Sequence, residues 1–499
     1  MKTMLKRGAG LLMPISALPS PYGIGTMGRS AYEFADQLKQ ARQQYWQVLP
    51  VGPTSYGDSP YQSFSAFAGN PYLIDLDMLV EAKLLLQEEI DACDWGGEFG
   101  YVDYDKQFAS RFLVLKQAYE RSKDSPLPEY LLFCCENRAW LDDYALYMAC
   151  KFEFAHAGWQ DWEEDIRFRK PEAVSRYRKK LSEEISFWSF LQFVFYGQWM
   201  ALKTYVNDLG IQMIGDIPIY VALDSVDVWM HPELFQLDSK TLKPLKVAGV
   251  PPDAFSDDGQ LWGNPLYDWK AIEETDFAWW KARMKASAGI YDVVRIDHFI
   301  GVVQYYAIPG DATDGKTGVW MKGPGKKLTD AIVSAVGDTK IIAEDLGIFS
   351  PEVKQLLAET GFPGMKILEF GFSGDRDNEH LPHNYIPNSV VYGGTHDNET
   401  LVGYFLQSQR NWWELQYIRD YMRIQNDGEL VDRIFAVAYA SVASVVIFQV
   451  QDVLKLGNEA RMNTPGTLGA NWRWRMKRDQ IRQEHMEHLG WLVDIYGRF

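Results

Sequence analysis

Short apolar runs recur along the chain and set its architecture. Eight stand out: Gly10–Ile15, Tyr45–Val51, Gln212–Val221, Val293–Phe299, Lys340–Gly347, Met365–Phe372, Ser389–His396 and Ser444–Val450. Their near-continuous hydrophobicity predicts buried, parallel strands rather than strands with one wet face. Segments such as Ser30–Gln44 and Thr329–Val336 carry helical periodicity between them. Eight strands alternating with helices predict a (β/α)8 barrel, an α/β fold. A doubly wound sheet is the structural competitor, but nothing here resembles its Gly-rich phosphate turn.

The spacing of the runs is uneven. Roughly 160 residues separate the second run from the third, far more than an ordinary strand-to-helix connection spans. Within them Phe108–Arg121, Trp140–Phe154 and Pro171–Ala201 repeat apolar residues at helical spacing. The expected organisation is therefore a barrel with large inserted subdomains. Residues 1–79 supply the first two strands and a substrate loop, 80–200 form a mainly helical insertion, and 201–499 complete the barrel. A second insertion, over 222–280, carries turn chemistry in Ala248–Asp268. No C-terminal β-sandwich is expected.

Composition narrows the function. A formal net charge of −17 argues against nucleic acid, because binding phosphates needs basic surface. No stretch approaches the ~18 uninterrupted apolar residues of a membrane span. Lys2, Lys6 and Arg7 precede a short apolar run, but Pro14 and Pro19 interrupt it, so a signal peptide is not expected. Cys93, Cys134, Cys135 and Cys150 lack the spacing of a disulfide framework or zinc site, which fits a reducing cytoplasm. The 18 Trp suit a protein that binds sugar rings on flat aromatic faces, although most serve equally well as core filling.

Barrel enzymes place their chemistry at the C-terminal ends of strands. Four of the predicted strands end in carboxylates: Gly215-Asp216-Ile217-Pro218-Ile219-Tyr220, Arg295-Ile296-Asp297-His298, Ala343-Glu344-Asp345-Leu346-Gly347 and Gly394-Thr395-His396-Asp397-Asn398. One acid at a strand end is usually a helix cap. Four on one rim suggest either a metal site or glycoside chemistry. Retention at a glycosidic bond needs an ionised carboxylate to attack the anomeric carbon and a protonated one to release the leaving oxygen. Strand alternation puts Arg295 beside Asp297, where it can hold the carboxylate ionised as a nucleophile. Glu344, on the next strand, is the expected acid/base. Asp397 is the expected third acid, favouring the oxocarbenium-like transition state, with His298 and His396 donating hydrogen bonds to hydroxyls.

Together these four segments resemble the four conserved regions of the α-amylase clan. In detail the chain resembles the 4-α-glucanotransferases known as amylomaltase or disproportionating enzyme. The supporting segments are Ser59–Ser63, Ala68–Tyr72, Gly249–Asp253, Trp262–Tyr267 and Glu459–Gly466, in the expected order from Gly10 to Trp474. The resemblance implies Asp297 as nucleophile, Glu344 as general acid/base and Asp397 as transition-state stabiliser. It places Arg295, His298 and His396 around the sugar nearest the cleavage point. It adds Tyr61, Asp216, Asp253, Phe255, Trp262 and Asn463 as substrate contacts. The implied partners are α-1,4-glucan donors with glucose or maltooligosaccharide acceptors, and the expected assembly is a monomer or small homo-oligomer. No cofactor and no metal are expected. The chain departs from ordinary α-amylases in carrying Ile217–Tyr220 where they have a histidine shortly after the aspartate.

Overall fold

The computed structural model describes residues 5–97, 100–252, 258–347, 350–407 and 410–499. Among the described residues there are twelve strands: β1 (Gly8–Leu12), β2 (Tyr45–Gln47), β3 (Gln212–Pro218), β4 (Lys246–Val250), β5 (Gln260–Pro265), β6 (Val293–Asp297), β7 (Gln304–Pro309), β8 (Val319–Lys322), β9 (Lys340–Ala343), β10 (Gly364–Ile367), β11 (Ser389–Tyr392) and β12 (Val445–Gln449). Eight form one sheet in the order β10-β11-β12-β1-β2-β3-β6-β9. Every neighbouring pair in it is parallel. These are the eight predicted runs, each ending short of its predicted C-terminal bound, with β1 and β10 beginning two residues and one residue earlier than expected.

The sheet curls into a (β/α)8 barrel. At the seam between β9 and β10 the Ala343 amide donates to Pro363 O at 3.0 Å, and the Asp345 carboxylate accepts from Met365 N at 2.7 Å. Alternation along each strand separates the inside of the barrel from its coat. Ile214, Val293, Ile342, Met365, Ile367, Val390, Tyr392, Val445 and Ile447 pack together in one cluster. Their chain neighbours Met213, Val294, Ile341, Val391 and Val446 belong to the larger core beneath the helices. Gly10 shares the parity of Leu12 on the inner face, and a Cβ there would sit 2.3 Å from Tyr45 O. Only glycine lets the two strands approach this closely at Tyr45.

Helices Arg29–Gln40, Ser182–Asp208, Ala278–Ile290, Lys326–Val336, Pro351–Thr360, Leu430–Ala440 and Gln483–Tyr496 form much of the coat. Between β10 and β11 the described chain has only short 3₁₀ turns. The predicted helix Pro171–Ala201 is two helices, Pro171–Lys180 and Ser182–Asp208, broken at Leu181. The charges agree with the break. Arg178, Lys179 and Lys180 close the first helix while Glu183 and Glu184 open the second, each complementing a helix dipole.

One region differs in kind from the expectation. The turn-rich stretch after Ala222 contains β4 and β5, which join β7 and β8 in an antiparallel sheet of order β5-β4-β7-β8. Half of that sheet therefore comes from beyond β6, outside the expected 222–280. Its outer strands are partly exposed in β5 and largely so in β8, so they lack the apolar signature of the barrel strands.

Candidate active site

The alternation that fills the barrel also aims the acids. Asp216 shares parity with Ile214, Arg295 and Asp297 with Val293, and Glu344 with Ile342, so all four turn toward the barrel axis at its C-terminal rim. The β6–β9 register pairs Ile296 with Ala343, which puts Asp297 and Glu344 side by side, about one strand spacing (~4.8 Å) apart in the backbone. The neighbouring acid Asp345 has the opposite parity and closes the barrel seam instead.

Arg295 is the hub. Its Nη1 donates to Asp216 Oδ2 at 2.6 Å and to Asp297 Oδ1 at 3.1 Å, and the side chain is 3% exposed. Burial disfavours the cation, but Asp216 and Asp297 outweigh it and push its pKa above the ordinary value. Tyr61 Oη also donates to Asp216 Oδ2, at 2.8 Å. Burial, then the charge of Asp216, pushes that phenol well above its usual range, so it remains a donor.

Glu344 is held by main chain. His298 N donates to its Oε2 at 2.6 Å and Leu346 N to its Oε1 at 2.7 Å. His298 adopts a left-handed backbone, φ 51°, at a strain of order 1–3 kcal/mol. That turn is what directs its N–H at the carboxyl group. Its ring meets Trp262 edge-on at 4.8 Å, and burial drives the imidazole down to about 4, leaving it neutral at pH 7.

Asp397 sits across the rim. Asn463 Nδ2 donates to its Oδ1 at 2.6 Å. His396 Nε2 lies 3.3 Å from its Oδ2, close enough for attraction but too bent for a full hydrogen bond. The His396 ring stacks on Tyr61, 5.0 Å between centroids and 16° between planes. Asp253 and Phe255 lie outside the described residues. The structure thus brings together every other expected site residue.

The three acids differ in proton affinity. Burial raises Asp297 to about 6 and outweighs the opposing pull of Arg295, so the guanidinium limits the rise and the carboxylate stays mostly ionised near pH 7. Burial raises Glu344 to about 8, aided by the negative charge of Asp297 and opposed by Arg295 and the two N–H donors. Burial would raise Asp397 also, but His396 and Asn463 overcome it and hold the group at about 2. Near pH 7, then, two carboxylates are ionised and one carboxylic acid is protonated, which is the division of labour that glycosyl transfer with retention demands.

Two neighbours escaped the sequence reading. Trp472 lies 5.7 Å from the Tyr61 ring and 5.9 Å from the His396 ring. Arg461 Nη2 donates to Asp397 O at 2.7 Å. In the sequence Trp472 is marked only by the Asn471-Trp472-Arg473-Trp474 cluster shortly after Asn463, and Arg461 only by its place within Glu459–Gly466. One recess is lined by Tyr61, Asp216 and Tyr220, and another by Met462 and Trp472.

A sequence model described as 4-alpha-glucanotransferase matches residues 13–481. The chain belongs to the 4-alpha-glucanotransferase family. A 4-alpha-glucanotransferase of Clostridium butyricum is 47% identical, across 97% of this chain and 100% of its own length. That of Streptococcus pneumoniae is 44% identical, across 99% and 98%. Among solved structures, the amylomaltase of Streptococcus agalactiae in complex with acarbose superposes with a TM-score of 0.96 at 43% identity, across 99% and 100% of the two chains. Membership in this family agrees with the α/β barrel and with an active enzyme acting on α-1,4-glucans.

Proposed function

We propose that this 4-alpha-glucanotransferase works by double displacement, with Asp297 as nucleophile, Glu344 as acid/base and Asp397 as stabiliser of the oxocarbenium-like transition state. Asp297 attacks C1 of the donor as Glu344 passes its proton to the glycosidic oxygen. The C1–O bond breaks, and the shortened glucan leaves with that proton. Glu344, now ionised, takes the proton of an acceptor 4-hydroxyl, whose oxygen displaces Asp297 and restores the α-1,4 bond. Protons and electron pairs balance without a cofactor.

The observation that carries this reading is the ordering of the three acids, about 2, about 6 and about 8, on one rim. Arg295, Asp216, Tyr61, His298, His396, Trp262 and Asn463 are proposed to surround the sugar at the cleavage point, with Asp253 and Phe255 assigned to the same task from the family resemblance. The proposed units are 1–79 and 201–499 for the barrel and 80–200 for the helical insertion. No helix among the described residues is long and apolar enough to cross a membrane. The four cysteines are free, in keeping with a proposed cytoplasmic location. A monomer or small homo-oligomer is proposed.

Incubation with maltotriose tests the proposal. Transfer yields glucose together with longer maltooligosaccharides while total reducing ends stay constant. A steady rise in reducing ends would mean that water, not sugar, resolves the intermediate.

A further inference from the structure

We infer that Arg461 is a positioning residue for transfer, acting on Asp397 through the two peptide carbonyls it joins. β11 ends at Tyr392, so Asp397 lies beyond the sheet and no ladder holds it. Its own turn is shaped locally, since Asn398 Oδ1 accepts from Thr395 N at 2.9 Å and from Thr395 Oγ1 at 2.8 Å. The aim of its carboxylate comes from elsewhere, through the 2.6 Å bond from Asn463 Nδ2. That bond is directional only if the backbones of the two residues keep a fixed separation.

Arg461 sets that separation. Its Nε donates to Asn463 O at 2.8 Å while its Nη2 donates to Asp397 O at 2.7 Å. Asn463 N completes the frame by donating to His396 O at 3.1 Å. Donors on a planar guanidinium diverge at a fixed angle, so one side chain registers two segments 66 residues apart in sequence. Neither bond involves a reacting atom. The role is therefore orientation, and small errors in orientation reduce turnover more than binding.

The inference rests on Asp397 acting in transfer, and the test separates the two claims. Kinetics on maltotriose are measured for Arg461→Ala, Arg461→Lys, Asn463→Ala, the double variant Arg461→Ala/Asn463→Ala, and Asp397→Asn. Arg461→Ala is expected to lower kcat ~10–100-fold, the range for losing a charged hydrogen bond, with KM changed less than about 2-fold. Lysine, lacking the fork, recovers only part of the loss. Because Arg461 and Asn463 act as one unit, the double variant stays within ~3-fold of the worse single variant. Losses that multiply, or a raised KM with kcat unchanged, overturn the inference while leaving the role of Asp397 intact. A wild-type kcat in Asp397→Asn overturns the role of Asp397 itself, whatever Arg461 does. Should Arg461→Ala fail to fold, Arg461→Lys completes the same cycle with Asn463→Ala.

Discussion

Replacing Glu344 by Gln probes the proposed division of labour most directly. With Asp297 at about 6 and Glu344 at about 8, the productive form carries one proton between them and predominates near pH 7. There each group is ~90% in its working state, and one pH unit beyond either value costs approximately tenfold in the limit. The profile of kcat/KM for maltotriose should therefore be a bell with limbs near 6 and near 8. Glu344→Gln removes the proton donor and should cost ~10²–10⁴-fold with maltotriose. An α-maltosyl fluoride donor needs no protonation to depart, so attack by Asp297 should survive far better. In that assay the limb near 8 should vanish. The limb near 6 should move by less than ~0.5 unit, because Glu344 is already neutral there and Gln leaves the charge around Asp297 unchanged. Glycosyl-enzyme should accumulate on Asp297, since the base for the second step is gone. A surviving limb near 8 would assign that titration to another group and refute the reasoning. So would an equal loss with both donors. Glutamine offers one carbonyl oxygen to the N–H groups of His298 and Leu346, so a stability loss of ~1–3 kcal/mol is expected and can be read from the urea midpoint.

Tyr61→Phe removes one of two donors to Asp216 and should reduce kcat/KM ~10-fold with little change in thermal midpoint, because Arg295 still holds that carboxylate; an unchanged kcat/KM would deny Tyr61 a part in the site. Arg498→Ala should act oppositely. This buried guanidinium donates to the carbonyls of Gly8, Ala438, Tyr439, Ser441, Ala443 and Ser444 at the base of the barrel. Its loss should cost ~3 kcal/mol or more in chemical denaturation while kcat per folded molecule holds.

The barrel was legible in the sequence because its strands are buried on both faces. Runs such as Val445–Phe448 are apolar throughout, and burial of that kind leaves an unmistakable mark. The acids proposed to act in transfer were legible for a related reason. Each lies at or just after the end of such a run, and the rule of two along a strand already decides that Asp297 faces with Arg295. The antiparallel sheet left no comparable mark, because its strands are short and partly exposed and half of them lie beyond β6. The break at Leu181 was similarly hidden, since the apolar spacing on either side continues through it.

The chain itself thus determined which elements exist and which residue types stand at their ends, since periodicity and burial are local properties. Only the tertiary structure decided what those residues do. Adjacent Glu344 and Asp345 look alike in sequence, yet one enters the cleft and the other closes the barrel seam. Arg295 could be read as keeping Asp297 ionised, but that burial still carries it to about 6 could not, because desolvation depends on the whole surrounding mass of protein. The brace on Asp397 comes from Arg461 and Asn463, and no local pattern can report a contact that the fold makes across more than 60 residues.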